Sequence, residues 1–276
     1  MRIDAHQHFW RYAPETHGWI TDEMAVLRRD YGPEDLAGHL RDHRLDGSIA
    51  VQAATTELEN AYLLDLAGAA PSILGVVGWV DLTDEEAERS LVRFAEHPRA
   101  VGIRHIVQDE PDDRFLDRPD FRRGVGHLAA LGLVYDVLVY ERQLPAALEF
   151  VRAFPEQPMV LDHLAKPRIA AGEFEPWASR IREIARCENL TAKVSGLVTE
   201  ADWANWTPAD LRPYLDTALE AFGPGRLMFG SDWPVCRLAG EYDAVRSALD
   251  EWLATLGASE RAAIEGGTAA RVYGLA

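Results

Sequence analysis

Eight short β-branched runs, each separated from the next by a stretch with helical spacing, constrain this chain more than any other feature. The runs fall at residues 2–8, 47–53, 73–80, 101–107, 133–139, 159–163, 190–194 and 226–230. Helical patterns lie between them at 33–44, 57–70, 84–96, 119–131, 143–154, 175–187 and 208–222. A last helix at 241–255 carries Val245, Leu249, Trp252 and Leu253 as one apolar stripe. Connections of this length suit crossover helices between parallel strands. Eight such units predict an α/β fold, a single (β/α)8 TIM barrel. An open doubly wound sheet shares the alternation and stays open as the rival, although no Gly-rich phosphate turn follows the first run.

The 276 residues, 47% hydrophobic and 26% charged throughout, supply one continuous core without a linker, so residues 1–276 are expected to form one domain. A formal net charge of -17 disfavours nucleic acid and anionic lipid, whose binding calls for a Lys/Arg stripe. No run approaches the roughly 18 apolar residues of a membrane span. Met1-Arg2-Ile3-Asp4 lacks the regions of a signal peptide, and Cys187 and Cys236 cannot make a disulfide framework. A cytoplasmic location is therefore expected; the oligomeric state is not written in the sequence.

Chemistry collects where strands should end. In Asp4-Ala5-His6-Gln7-His8 the two histidines are two residues apart, so on a strand they share a face and converge. Such a pair can hold a metal or polarise a substrate; taken alone, one core histidine and one loop histidine explain it as well. Met228-Phe229-Gly230-Ser231-Asp232-Trp233-Pro234 ends an apolar strand in a carboxylate able to take a proton from water, or to cap a turn. Val160-Leu161-Asp162-His163-Leu164-Ala165-Lys166 ends another strand in a titratable cluster. The long insert at 9–31 is expected to lie across the mouth of the barrel, where catalytic loops belong.

These motifs, with Gly102-Ile103-Arg104-His105 and His6-Gln7-His8-Phe9-Trp10, resemble the amidohydrolase superfamily of metal-dependent hydrolases, and within it the sugar-lactonase branch. The likeness runs from the first strand to Ala269-Ala270-Arg271-Val272-Tyr273-Gly274-Leu275. It implies hydrolysis of L-fucono-1,5-lactone or a related aldono-1,4- or 1,5-lactone by water, with Asp232 as general base and His6, His8 and His163 around the carbonyl. His6, His8, His163 and Asp232 would also suit one divalent ion such as zinc, and activity with or without a metal stays open. Strand five offers Asp136 where binuclear relatives carry a histidine, which argues against two zinc ions.

The tetrahedral oxyanion of lactone opening calls for positive charge, for which His163, Arg104 and Lys166 are candidates. Neighbours on a strand face opposite ways, so only one of Arg104 and His105 should meet substrate, and Arg104 is favoured. Trp10, Trp79 and Trp233 could pack on a sugar ring or on the rim, and Asp81, Asp136 and Gln52 could bond a polyol. Cys236 has no evident activating base beside it. A metal-dependent decarboxylase of the same superfamily and a non-catalytic sugar-binding barrel are the rival functions.

Overall fold

Strands that bury every residue need cover on both faces, and a parallel sheet wrapped by helices gives it. β1 (Ile3–Gln7), β2 (Gly47–Val51), β5 (Val134–Val137), β6 (Met159–Leu161), β7 (Leu190–Val194) and β8 (Leu227–Phe229) are buried throughout. With β3 (Ile73–Gly78) and β4 (Ala100–His105) they form one parallel sheet in sequence order, seen in a computed structural model that describes residues 1–275. The ring closes just beyond β8: His8 N donates to Trp233 O at 2.7 Å and Asp232 N to His6 O at 2.8 Å. The same two hydrogen bonds that close the barrel therefore seat His6, His8 and Asp232 side by side.

Helices α1 (Pro33–Asp42), α2 (Glu57–Ala69), α3 (Ala87–Ala95), α4 (Pro119–Val125), α5 (Leu144–Ala153), α6 (Trp177–Ile184), α7 (Pro208–Phe222) and α8 (Tyr242–Leu253) follow the strands in turn. Most elements are shorter than their expected spans, and in two cases the backbone shows why. The helix read over 119–131 stops at Val125, where Gly124 and Gly126 weaken it, and a 3-10 turn at Ala129–Leu131 replaces its end. The strand read over 159–163 stops at Leu161, because residues 163–166 all adopt positive φ.

The barrel interior is filled by Ile3, Ile49, Val51, Val77, Val101, Val134, Val160 and Met228, joined by Ala269 and Tyr273 from the closing helix α9 (Thr268–Val272) and its end. Above this apolar layer lies a layer of charge. Lys193, fully buried in β7, pairs with Asp136 of β5 and lies 3.0 Å from Asp162 Oδ1. Tyr273 Oη donates to both Asp136 oxygens at 2.8 and 2.9 Å. Burial pushes Asp136 up to about 6, while Asp162, against the same desolvation, is held well below the carboxylate range by Lys193, His6 and Arg104. Asp136 is thus sealed inside the barrel, away from any polyol, with its oxygens already bonded.

Lys193 compensates two buried carboxylates, and removing one partner of a buried ion pair typically costs about 3–5 kcal/mol. Lys193→Met is expected to lose stability on that scale in urea denaturation, with Tyr273→Phe, which removes only one hydrogen-bond donor, losing about 1 kcal/mol.

Candidate active site

The histidine pair sits where β1 leaves the barrel. His8 Nδ1 contacts Val51 O at 2.7 Å, which places the proton on Nδ1 and turns the Nε2 lone pair inward. His6 Nδ1 faces Asp162 Oδ1 at 3.3 Å, and its Nε2 lies 3.3 Å from His8 Nε2. Arg104 Nη1 donates to Asp162 Oδ2 at 3.0 Å and reaches His6 Nε2 at 3.3 Å. The guanidinium is locked from behind, Nη2 donating to the Gln52 carbonyl and to Gln52 Oε1. Gln52, expected to touch substrate, is fully buried and acts on Arg104 instead.

His163 and Asp232 reach the same point from left-handed backbone. Asp232 has φ 59°, and His163, Leu164, Ala165 and Lys166 have φ between 50° and 58°. Left-handed conformation costs roughly 1–2 kcal/mol for each non-glycine residue, so the surroundings must impose it. Leu164 and Ala165 are fully buried, and Trp177 Nε1 donates to Leu164 O at 2.7 Å. The His163 ring then contacts Ser195 Oγ through Nδ1 at 2.9 Å and presents Nε2 3.9 Å from Asp232 Oδ1. Gly196 makes room: a Cβ there would lie 2.5 Å from His163 Nδ1 and 3.2 Å from Asp232 Oδ2, and its φ is +62°.

Burial sets the charge states. Desolvation drives His6 well below its ordinary value and His163 down to about 4, so both rings are neutral near pH 7. Desolvation alone would raise Asp232, but the imidazoles of His163, His8 and His6 outweigh it and hold the carboxyl below the usual range. Burial raises the Cys236 thiol well above its usual value, which leaves it no part as a nucleophile.

One carboxylate thus faces His6 and His8, whose inward Nε2 atoms carry lone pairs because each Nδ1 faces an oxygen acceptor. His8 Nε2 and His6 Nε2 lie 3.4 and 3.8 Å from Asp232 Oδ1, beside the 3.3 Å between the two rings. Metal–nitrogen bonds of about 2.0–2.1 Å in a tetrahedron separate ligand atoms by about 3.3 Å, so this donor set fits one cation of zinc size. A second grouping, His6, Asp162 and His163, already has its carboxylate compensated by Lys193 and Arg104.

The cluster floors a cavity of about 360 Å³ lined by His8, Arg104, His163, Lys166 and Asp232, with Trp19 and Met24 contributed by the insert at 9–31. Lys166 lies 3.6 Å from Glu200 Oε1 and over the Tyr140 ring. Trp79, Asp81 and His105 border a neighbouring recess instead. Trp10 and Trp233 are 1% exposed and pack with Tyr31 rather than opening to the cavity. No local motif marks Lys193, Ser195, Gly196, Glu200 or Trp203 as residues of the site. A lysine inside the otherwise uncharged run Leu190–Val194 was the one usable signal.

Residues 3–275 match a family model described as amidohydrolase. The chain is 48% identical, over all of its length and 96% of the relative's, to an L-fucono-1,5-lactonase of Burkholderia multivorans. It is 39% identical, over 99% of its length and 95% of the relative's, to an L-fucono-1,5-lactonase of Burkholderia ambifaria. A crystal structure of a Burkholderia multivorans amidohydrolase with bound zinc superposes with a TM-score of 0.94 at 47% identity, covering 100% of each chain. Among the described residues no helix is long and apolar enough to cross a membrane.

Gly196→Ala should displace the His163 ring and lower turnover by about a hundredfold, the usual scale for an ångström of misplacement; steady-state kinetics beside a melting curve checks it. A second expectation concerns Glu59, whose carboxylate accepts from Ala53 N and Ala54 N at 3.0 and 2.8 Å and is pushed up to about 7 by burial. Below pH 4.5 both folded and unfolded states hold its proton. Between 4.5 and 7 only the folded state does, so this contribution to stability falls as pH rises, by about 3 kcal/mol in all. The stability difference between the parent and Glu59→Gln, measured by denaturation from pH 4.5 to 8, should change by that amount against the parent.

Proposed function

The chain belongs to the amidohydrolase family, and from that premise we propose that it hydrolyses a sugar lactone, L-fucono-1,5-lactone or a close aldonolactone, to the open acid. The observation that carries this reading is the convergence of four buried groups, of which His8, His163 and Asp232 line one cavity and His6 packs against them. A neutral substrate suits its walls. Arg104 is paired with Asp162 and Lys166 faces Glu200, so no uncompensated cation waits for a multiply charged anion.

In the proposed mechanism Asp232 takes a proton from the water that attacks the lactone carbonyl. Held down by its imidazole neighbours, the carboxylate is a weak base before reaction. Negative charge growing on the carbonyl oxygen raises its proton affinity as the water must lose its proton. Arg104, His163 and Lys166 border the same space and stabilise that oxyanion. Asp232 then passes the proton to the ring oxygen as the carbon–oxygen bond breaks, which leaves the hydroxy acid and restores the carboxylate. His6, His8 and Asp232, with His163 as a fourth donor, would hold one zinc ion, whose charge acidifies water and polarises a carbonyl.

Acid release from a panel of aldonolactones tests the proposal. The parent should hydrolyse at least one, and Asp232→Asn should lose about a thousandfold in kcat with its melting profile unchanged. No acid from any lactone would overturn it. Metal analysis should find one zinc per chain after dialysis against the ion, with weaker retention in His8→Ala.

A further inference from the structure

Beside the catalytic cavity lies a second recess of about 470 Å³. The two share Trp19, Ala53, Ile106 and Asp109 among their lining residues, so they adjoin. A cavity of about 360 Å³ already falls in the range of small-molecule sites, and the second recess is surplus to a single lactone ring.

The recess is built and held rigid. Trp79 Nε1 donates to His105 Nδ1 at 3.3 Å, so the other ring nitrogen carries the proton toward Glu110 Oε1 at 2.7 Å. His105 is stacked on Phe115, with ring centroids 4.9 Å apart and planes within 4°. The Trp79 backbone is pinned at both polar groups by Asn60, at 2.8 and 2.6 Å. None of these contacts supports His6, His8, His163 or Asp232. They fix an indole at the wall of an open space beside the exposed carboxylates of Asp81 and Asp109.

Its charge selects the ligand. Arg118 is held by Asp120 at 2.6 and 3.0 Å, and His105 by Glu110, which leaves no unpaired cation for an anionic group. Carboxylates that accept from hydroxyls, next to indole faces that cover aliphatic C–H surface, suit a neutral sugar ring. We infer that the second recess is a subsite for a neutral pyranosyl unit attached to the lactone, so that the enzyme accepts glycosylated aldonolactones. This rests on the lactonase reading above. Trp79 and Asp81 are then specificity residues, remote from the reacting atoms.

The test compares the bare lactone that the parent hydrolyses fastest with the same lactone carrying a pyranosyl unit on each free hydroxyl in turn. At least one glycosylated isomer should match or exceed the bare lactone in kcat/KM. Trp79→Ala and Asp81→Asn should each raise KM for that isomer about tenfold while leaving kcat and the bare lactone unaffected, and Trp79→Phe should restore most of the loss. If every glycosylated isomer is refused, or the variants slow the bare lactone equally, the subsite is overturned. If the bare lactones themselves are not hydrolysed, the lactonase reading fails, and the subsite with it.

Discussion

A lysine with no exposed surface, set between two aspartates in the middle of a barrel, governs the arrangement above it. Lys193 compensates Asp136 and Asp162, and the burial that makes all three costly singly makes them strongly coupled together. Asp136 is tied through Tyr273 to the closing segment of the chain. Asp162 turns toward Arg104 and His6. The ladder thus runs from the plugged end of the barrel to the open one, and its last rung sets the guanidinium and an imidazole of the site.

Two further constraints complete the cluster. The His163 turn is left-handed over four residues, a conformation sustained by buried Leu164 and Ala165, by the Trp177 hydrogen bond and by the absence of a side chain at Gly196. Asp232 is left-handed as well, and its backbone nitrogen closes the barrel on His6. Strain is therefore concentrated at the two turns that bring His163 and Asp232 together, and closure of the fold offsets it. Because the hydrogen bonds that close the barrel also seat His6, His8 and Asp232 side by side, the cluster cannot form before the last strand is in place.

Burial then divides the ionisable groups by role. Desolvation keeps His6 and His163 neutral, while Asp232 beside them stays ionised, its carboxyl below the usual range. The neighbouring recess follows a different logic, with paired cations, exposed carboxylates and a fixed indole that suit recognition rather than proton transfer.

Local pattern determined much of this. The strand–helix alternation set the eight units, because a buried parallel strand needs an apolar run and its crossover needs a helix. The two-residue spacing put His6 and His8 on one face, and apolar strands ending in His163 and Asp232 marked the end of the barrel where the cluster forms. Tertiary structure alone decided that Asp136 faces Lys193 rather than substrate, that Gln52 locks Arg104, that Trp233 is core, and that Trp79, Asp81 and His105 border the adjoining recess. The reason is physical: periodicity fixes which side of its own strand a residue occupies. Its partner depends on the register and closure of strands far apart in sequence, where desolvation leaves a buried charge stable only beside an opposite one.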